Sequence, residues 1–335
     1  MLIDRIGREI NYLRVSLTDR CNYRCTYCMP EDMTFEPRQE ALHVDEMLTI
    51  CAAFVELGIK KIRLTGGEPT IHPDFDQLLM GLDGLDGLKN IAVTTNGSKL
   101  LEKAPLIALN KKVKQLNVSL DSVDEDNFKR ITRTGALADV VAGIDAAKAA
   151  GIERIRLNVV VSSGVNTHEL TQLLDFAIEK ECHIAFIEEM PLGDMSNYSR
   201  SEHFLSNDDV LRLFSKNYDL RPLMSRKQQA GPARYYSLQG SLTEVGFISP
   251  HSNNFCEQCN RVRLTRKGEL ILCLGQEQAI DLRAVIRQAE THELSALDLL
   301  KKTIIEAMQH KPDSHQFDHQ NDGVQIVRFM NVTGG

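Results

Sequence analysis

Short runs of β-branched and apolar residues alternate along the first 190 residues with stretches whose apolar positions recur every three or four residues. The runs fall at 13–17, 61–64, 91–94, 116–120, 155–161 and 184–187, and each reads as a buried strand. Between them, helical periodicity covers 44–57, where Met47, Cys51, Phe54 and Val55 share a face, and then 75–85, 136–150 and 168–180. Asn166-Thr167 reads as the cap that opens the last of these, and Gly151 as the stop of the one before. Strand and helix in strict alternation predict parallel strands joined by crossovers.

The polar, glycine-bearing segments sit where such a fold keeps its chemistry. Thr18-Asp19-Arg20-Cys21 follows the first strand, Thr65-Gly66-Gly67-Glu68-Pro69 the second, Thr95-Asn96-Gly97 the third, Asp121-Ser122 the fourth and Glu188-Glu189-Met190-Pro191 the sixth. Loops at the carboxyl ends of successive parallel strands form the active face of a barrel or open α/β sheet. The expected fold class is α/β, a partial TIM-type β/α barrel of about six units with a wide lateral mouth. Past residue 200 the rhythm breaks: 206–214 reads as a helix, 235–248 as short strands with Gly240 and Gly246 at turns, 280–308 as two helices, and 311–322 as an exposed, His-rich loop. We therefore expect a barrel over 5–230 and a C-terminal α+β domain over 231–335.

Composition narrows the class. The 335 residues are 42% hydrophobic and 25% charged, which argues against disorder, collagen and coiled coil. Lys+Arg number 39 and Asp+Glu 46, a net charge of 39 − 46 = −7, so the chain is no basic nucleic-acid coat and any anionic ligand needs a local cation cluster. The charged start, Met-Leu-Ile-Asp-Arg-Ile-Gly-Arg-Glu, does not suit a signal peptide, and no apolar run approaches the ~18 residues of a membrane span. A cytoplasmic protein with neither membrane nor nucleic acid as partner is expected.

Six of the eight cysteines form two triads. Cys21, Cys25 and Cys28 place three thiolates in one loop with no histidine nearer downstream than His43, which suits an iron–sulfur cluster better than zinc. A cubane held by three cysteines leaves one iron open. Cys256, Cys259 and Cys273 repeat the pattern, and there spacing alone leaves a second such cluster and a Cys3His zinc site completed by His251 evenly matched. Cys51 and Cys182 read as small core residues, and none of the ten histidines is assigned a role.

Cys-x3-Cys-x2-Cys with Tyr27 before the third cysteine, followed by Gly66-Gly67-Glu68-Pro69, resembles the radical S-adenosylmethionine (SAM) superfamily. The resemblance implies that SAM chelates the open iron and is cleaved to a 5′-deoxyadenosyl radical. Glu68 then reads as a partner for the SAM ammonium, with the two glycines allowing close backbone approach. The second triad, within Cys-x2-Cys-Asn-Arg-x-Arg-Leu-Thr and with a terminal Gly334-Gly335, resembles the GTP 3′,8-cyclase family of molybdenum cofactor biosynthesis, and the match runs from Tyr12 to the end. That breaks the tie in favour of two [4Fe-4S] clusters, on Cys21, Cys25 and Cys28 and on Cys256, Cys259 and Cys273. The implied SAM contacts are Tyr27, Gly67, Ser119 and Met190. The implied GTP contacts are Arg14, Arg63, Thr94, Arg156, Arg261, Val262 and Arg263, with Lys61 a further candidate. The glycine tail is implied to enter the active site. Other implied partners are an electron donor of flavodoxin or ferredoxin type, the downstream cyclic pyranopterin monophosphate synthase, and a second copy in a homodimer. No residue is required as a strong acid or base.

Ala185 stands where the family commonly has an arginine, Arg156 where a lysine is frequent, His72-Pro73 in place of an arginine pair, and Thr167 in place of an Asp. These departures leave a diverged radical enzyme acting on another metabolite or a peptide as one rival. A non-catalytic zinc module is the other.

Overall fold

The computed structural model describes residues 1–195, 198–223, 232–289, 294–321 and 323–334. The six expected strands are β1 (Tyr12–Ser16), β2 (Lys61–Thr65), β3 (Asn90–Thr95), β4 (Val113–Ser119), β5 (Ile155–Val161) and β6 (His183–Glu188). They pair in parallel, each with the next. Six more strands follow: β7 (Leu220–Pro222), β8 (Ala233–Leu238), β9 (Glu244–Ile248), β10 (Arg261–Leu264), β11 (Glu269–Ile271) and β12 (Ala279–Asp281). They do not form a sheet of their own. β10 adds in parallel beside β1 and β9 in parallel beside β6, with antiparallel β11-β12 and β8-β7 outside them, so one sheet runs β12-β11-β10-β1-β2-β3-β4-β5-β6-β9-β8-β7.

Flat, the parallel run from β10 to β9 would be about 34 Å wide at ~4.8 Å per strand. Yet Arg261 and Arg263 of β10, Arg156 of β5 and Ile248 of β9 line one cavity, so the sheet is strongly curled. A cluster of Phe186, Phe214 and Phe247 docks β9 on β6, with Phe186 4.9 Å from Phe214 and 6.0 Å from Phe247 between ring centroids. Beside it the Asn207 amide donates to the carbonyl oxygens of Phe186 and Ile248.

The helices differ from the sequence expectation in instructive ways. Val44–Glu56, Phe75–Asp83, Leu137–Ala149 and Leu170–Glu179 lie where periodicity put them. Asn166 does not cap with its side chain. Its amide donates to the Asp121 and Val160 carbonyls and its oxygen accepts from the Ser162 N–H, which ties the β4 and β5 loops together. Among the helices that went unexpected, two lie between parallel strands along the chain. Leu100–Leu109 forms despite an internal Pro105 because Leu100, Ala104 and Ile107 are buried. Glu125–Thr132 is polar in composition but capped by Asp124 and buries Phe128 and Ile131.

In the C-terminal third, Asn207–Phe214, Leu282–Gln288 and Ala296–Met308 are helical. Gly240 turns the chain, but Gly246 lies inside β9. The start of the expected exposed loop is anchored instead: Lys311 is buried and donates to the carbonyls of Arg261 and Leu272.

Candidate active site

The first triad hangs on a loop pinned from several sides. The Arg24 and Thr26 N–H groups donate to the carbonyls of Thr132 and Ile131, and the Arg24 guanidinium donates to the Cys21 carbonyl at 2.6 Å. Asp19, buried, faces Arg266 at 3.2 Å. Cys21, Cys25 and Cys28 line a cavity together with Tyr27, Gly67, Thr94, Ser119 and Met190. Burial pushes the Cys21 thiol up to about 11 and the Cys28 thiol up to about 12. Cys25 is also raised, by burial and then by its neighbours Cys28, Asp121 and Cys21. Tyr27 donates to Asp121 Oδ2 at 2.7 Å, and burial raises that carboxyl to about 6.

The Gly66-Gly67 turn also makes a contact within the chain that the sequence did not suggest. A Cβ on Gly67 would lie 2.2 Å from the Arg20 carbonyl oxygen and one on Gly66 2.4 Å from that of Thr18. The glycines let this turn zip onto the cysteine loop, with the Glu68 N–H donating to Arg20 O at 2.8 Å. Glu68 does not open onto the cavity. It is fully buried, and its carboxylate accepts from the Thr70 N–H and hydroxyl, the Thr95 hydroxyl and the Asn96 N–H. Glu68→Gln turns one oxygen into a donor facing these donors. It is expected to cost about 2–3 kcal/mol, read as a lower urea midpoint.

The second cavity holds the cations. β10, β1 and β2 run in register, so Arg263, Arg14 and Arg63 form one row across three strands and Arg261, Tyr12 and Lys61 a second row two residues earlier on the same face. Arg14, Arg63, Arg156, Arg261, Val262 and Arg263 line one cavity with Cys256, Cys259 and Cys273. Burial lowers Arg63 to about 10 and Lys61 to about 8, and it also depresses Arg261 and Arg263. The Nε atoms of Arg14 and Arg63 are buried without a hydrogen-bond partner among the described residues. A wall of desolvated, part-satisfied guanidinium groups is a receptor for a polyanion. Burial opposes ionisation of Cys259, but Arg261, Lys311 and Arg8 outweigh it and bring the thiol down to about 7.

Asn158, Ile187 and Met190 line both cavities, so the two triads look into connected space. Thr94, grouped with the arginines on the sequence, lines the side of the first triad. His251 has Nε2 2.9 Å from the Glu189 carbonyl and is not part of the second triad's wall. His315 is part of it, with its N–H 3.5 Å from Cys256 Sγ. Among the described residues no three His, Cys, Asp or Glu side chains converge on a single ion. Two sets of three free thiols have the ligand chemistry of multi-iron clusters, which take one cysteine per iron.

The tail closes the chamber. Asn331 donates to the Asp19 carbonyl at 2.7 Å, Arg263 donates to the carbonyls of Thr333 and Gly334, and Met330 and Asn331 line the first cavity. Gly334 has φ +77°, and a Cβ there would lie 2.2 Å from Thr65 Cγ2. Gly335 lies outside the described residues.

The absence of an arginine at 185 has a local explanation. Ala185 pairs with Gly246, and the Tyr235 ring lies across them: a Cβ on Gly246 would sit 3.1 Å from Tyr235 Cε1 and 3.4 Å from the Ala185 methyl. The Tyr235 hydroxyl accepts from Arg156 at 2.9 Å. Ala185→Arg is therefore expected to overpack by about 1–3 kcal/mol and to leave nucleotide affinity no tighter, measured by thermal melting and a binding titration.

Sequence reasoning missed Arg8 and Lys311. Arg8 donates to the carbonyls of Cys256, Pro312 and Asp313, contacts from hundreds of residues away that no local spacing announces. It also missed Tyr12 as part of the array, although Tyr-x-Arg, Lys-x-Arg and Arg-x-Arg at the heads of three strands carried an alternating signal.

Two family models match the chain, and they meet near residue 180 rather than 230. Residues 15–177 match the Radical SAM superfamily and residues 182–317 match Molybdenum Cofactor Synthesis C. The chain is 51% identical over 337 residues to the GTP 3′,8-cyclase of Pseudomonas fluorescens (strain Pf0-1), covering 100% of this chain and 99% of that protein. It is 48% identical over 335 residues to the GTP 3′,8-cyclase of Marinobacter nauticus, covering 100% and 98%. Among solved structures, Streptococcus suis SuiB bound to S-adenosylmethionine superposes with a TM-score of 0.61 at 16% identity, over 88% of this chain and 66% of that one, a likeness of fold.

Proposed function

We propose the following from the premise that the chain belongs to the GTP 3′,8-cyclase family of the radical SAM superfamily: it is a radical SAM enzyme that converts GTP to (8S)-3′,8-cyclo-7,8-dihydro-GTP, an early step of molybdenum cofactor biosynthesis. When bound, two [4Fe-4S] clusters and SAM supply one-electron cleavage, removal of the ribose 3′ hydrogen and an iron site for the base. The protein's share is positioning. The carrying observation is the pair of cation rows beside the second triad, with guanidinium Nε atoms of Arg14 and Arg63 left without partners among the described residues.

In this reading Cys21, Cys25 and Cys28 hold the first cluster, and Tyr27, Gly67, Ser119 and Met190 bound the SAM space. Cys256, Cys259 and Cys273 hold the second. Arg14, Lys61, Arg63, Arg156, Arg261, Val262 and Arg263 receive the nucleotide, and Thr94 meets its ribose from the SAM side, where Met190 and Asn158 join the two spaces. The buried tail and the curled sheet keep water away from the reacting carbons. We read the curl as the incomplete TIM-type barrel. The expected boundary near residue 230 is then a division of labour, the part before it serving SAM and the part after it supplying the second cluster. A flavodoxin- or ferredoxin-type donor, hand-over to cyclic pyranopterin monophosphate synthase, a homodimer and a cytoplasmic setting complete the proposal. No helix among the described residues is long and apolar enough to cross a membrane.

The test is anaerobic incubation of the reconstituted protein with dithionite, SAM and GTP deuterated at C3′. Deuterium in 5′-deoxyadenosine supports the reading, and robust SAM cleavage without label transfer overturns it. Zinc without acid-labile sulfide after reconstitution would instead support the zinc module.

A further inference from the structure

Tyr12 sits at the centre of the lower cation row, in register between Lys61 and Arg261 and one step below Arg14. Its ring centroid is 5.3 Å from Lys61 Nζ, 5.7 Å from Arg63 Cζ and 5.9 Å from Arg14 Cζ. The residue is only 5% exposed, and its hydroxyl is buried without a hydrogen-bond partner among the described residues. No carboxylate lines either cavity that the array borders, among the described residues. Like cations held this close in a desolvated wall repel one another. Apart from the cysteines, the groups facing the array that can carry a negative charge are Tyr12 and Tyr235, and the Tyr235 hydroxyl already accepts from Arg156.

Resting on the GTP-cyclase reading, we propose that Tyr12 is the internal counter-ion of the unliganded cation array and that the substrate's polyphosphate takes over this role, returning Tyr12 to the neutral phenol that donates to a phosphate oxygen. The proton balance is simple. One proton moves from solvent to the phenolate for each polyphosphate bound. The electrostatics agree: burial alone would raise the phenol, but Arg63, Arg14, Lys61 and Arg261 outweigh it and bring it to about 6. A group with a low affinity for protons when free and an ordinary one when bound makes binding take up a proton. Affinity therefore falls as pH rises above about 6, by up to about tenfold per pH unit for one proton. Lys61, lowered to about 8, adds uptake of the same sign, so the pH slope alone does not assign the group.

Tyr12→Phe does. In calorimetric titrations of the reconstituted holoenzyme with GTP, and separately with inorganic triphosphate, in buffers of different ionisation enthalpy, the variant is expected to take up about one proton fewer than the parent protein near pH 8. The parent should also lose the ultraviolet absorbance of one tyrosinate when triphosphate is added, a readout that survives if the variant fails to fold. Equal proton uptake in parent and variant, or triphosphate binding with no tyrosinate lost, overturns the inference while leaving the GTP reading intact. Failure of GTP to bind at all overturns that reading instead.

Discussion

Cys25→Ala is expected to reduce SAM cleavage to background, whereas Cys273→Ala should keep SAM cleavage and lose cyclisation. The two substitutions remove one thiol from each triad, and the surrounding scaffold explains why the outcomes separate. The first loop keeps its backbone ties to Ile131 and Thr132 without the Cys25 sulfur, so the variant is expected to fold with two thiols in place of the proposed three ligands. The second triad stands on different elements, the segment before β10 and the loop after β11, anchored by Arg8 and Lys311. Its loss leaves the first cavity's lining untouched. Iron and sulfide content should fall by half in either variant. Formation of 5′-deoxyadenosine and of the cyclised nucleotide, measured side by side, tells them apart. Unaltered cyclisation in Cys273→Ala would remove the second triad from the reaction.

Arg263→Ala is expected to have the next largest effect, because one side chain serves two ends of the chamber. It stands in register with Arg14 and Arg63 in the upper cation row, and it donates to the carbonyls of Thr333 and Gly334. A charge-assisted hydrogen bond contributes about 1.5–3 kcal/mol, so the lost guanidinium should weaken GTP binding by roughly 10–150-fold at about 1.4 kcal/mol per decade. Release of the tail then lowers kcat as well. Gly334→Ala separates the parts: it keeps the cation, but its positive φ and the clash with Thr65 expel the tail. Its expected phenotype is a reduced kcat with GTP affinity nearly unchanged, and a Gly334→Ala protein that binds GTP as weakly as Arg263→Ala would contradict the division.

Much of the molecule is legible in its sequence because the relevant physics is local. The six parallel strands announce themselves by β-branched runs, and the first triad by ligands a few residues apart on one loop. Local reading failed where one signal admits two uses. Asn166 has a cap's composition, but its amide finds better partners in Asp121 and Val160. Glu68 has the chemistry to bind an ammonium, yet the donors of Thr70, Thr95 and Asn96 surround it first. Gly246 reads as a turn, but the Tyr235 ring needs its missing side chain inside a strand.

The sequence by itself determined the donor sets, three thiols and three thiols, and the strand heads that carry cations on alternate positions. Only the tertiary structure decided that those heads form one surface. β10 lies some 200 residues beyond β2 in the chain, and no local preference specifies that it adds in parallel beside β1 and brings Arg261 and Arg263 level with Tyr12 and Arg14. That pairing belongs to the closure of the sheet's edge and the burial of its apolar face, which are properties of the whole chain, and it gathers scattered arginines into one cation array.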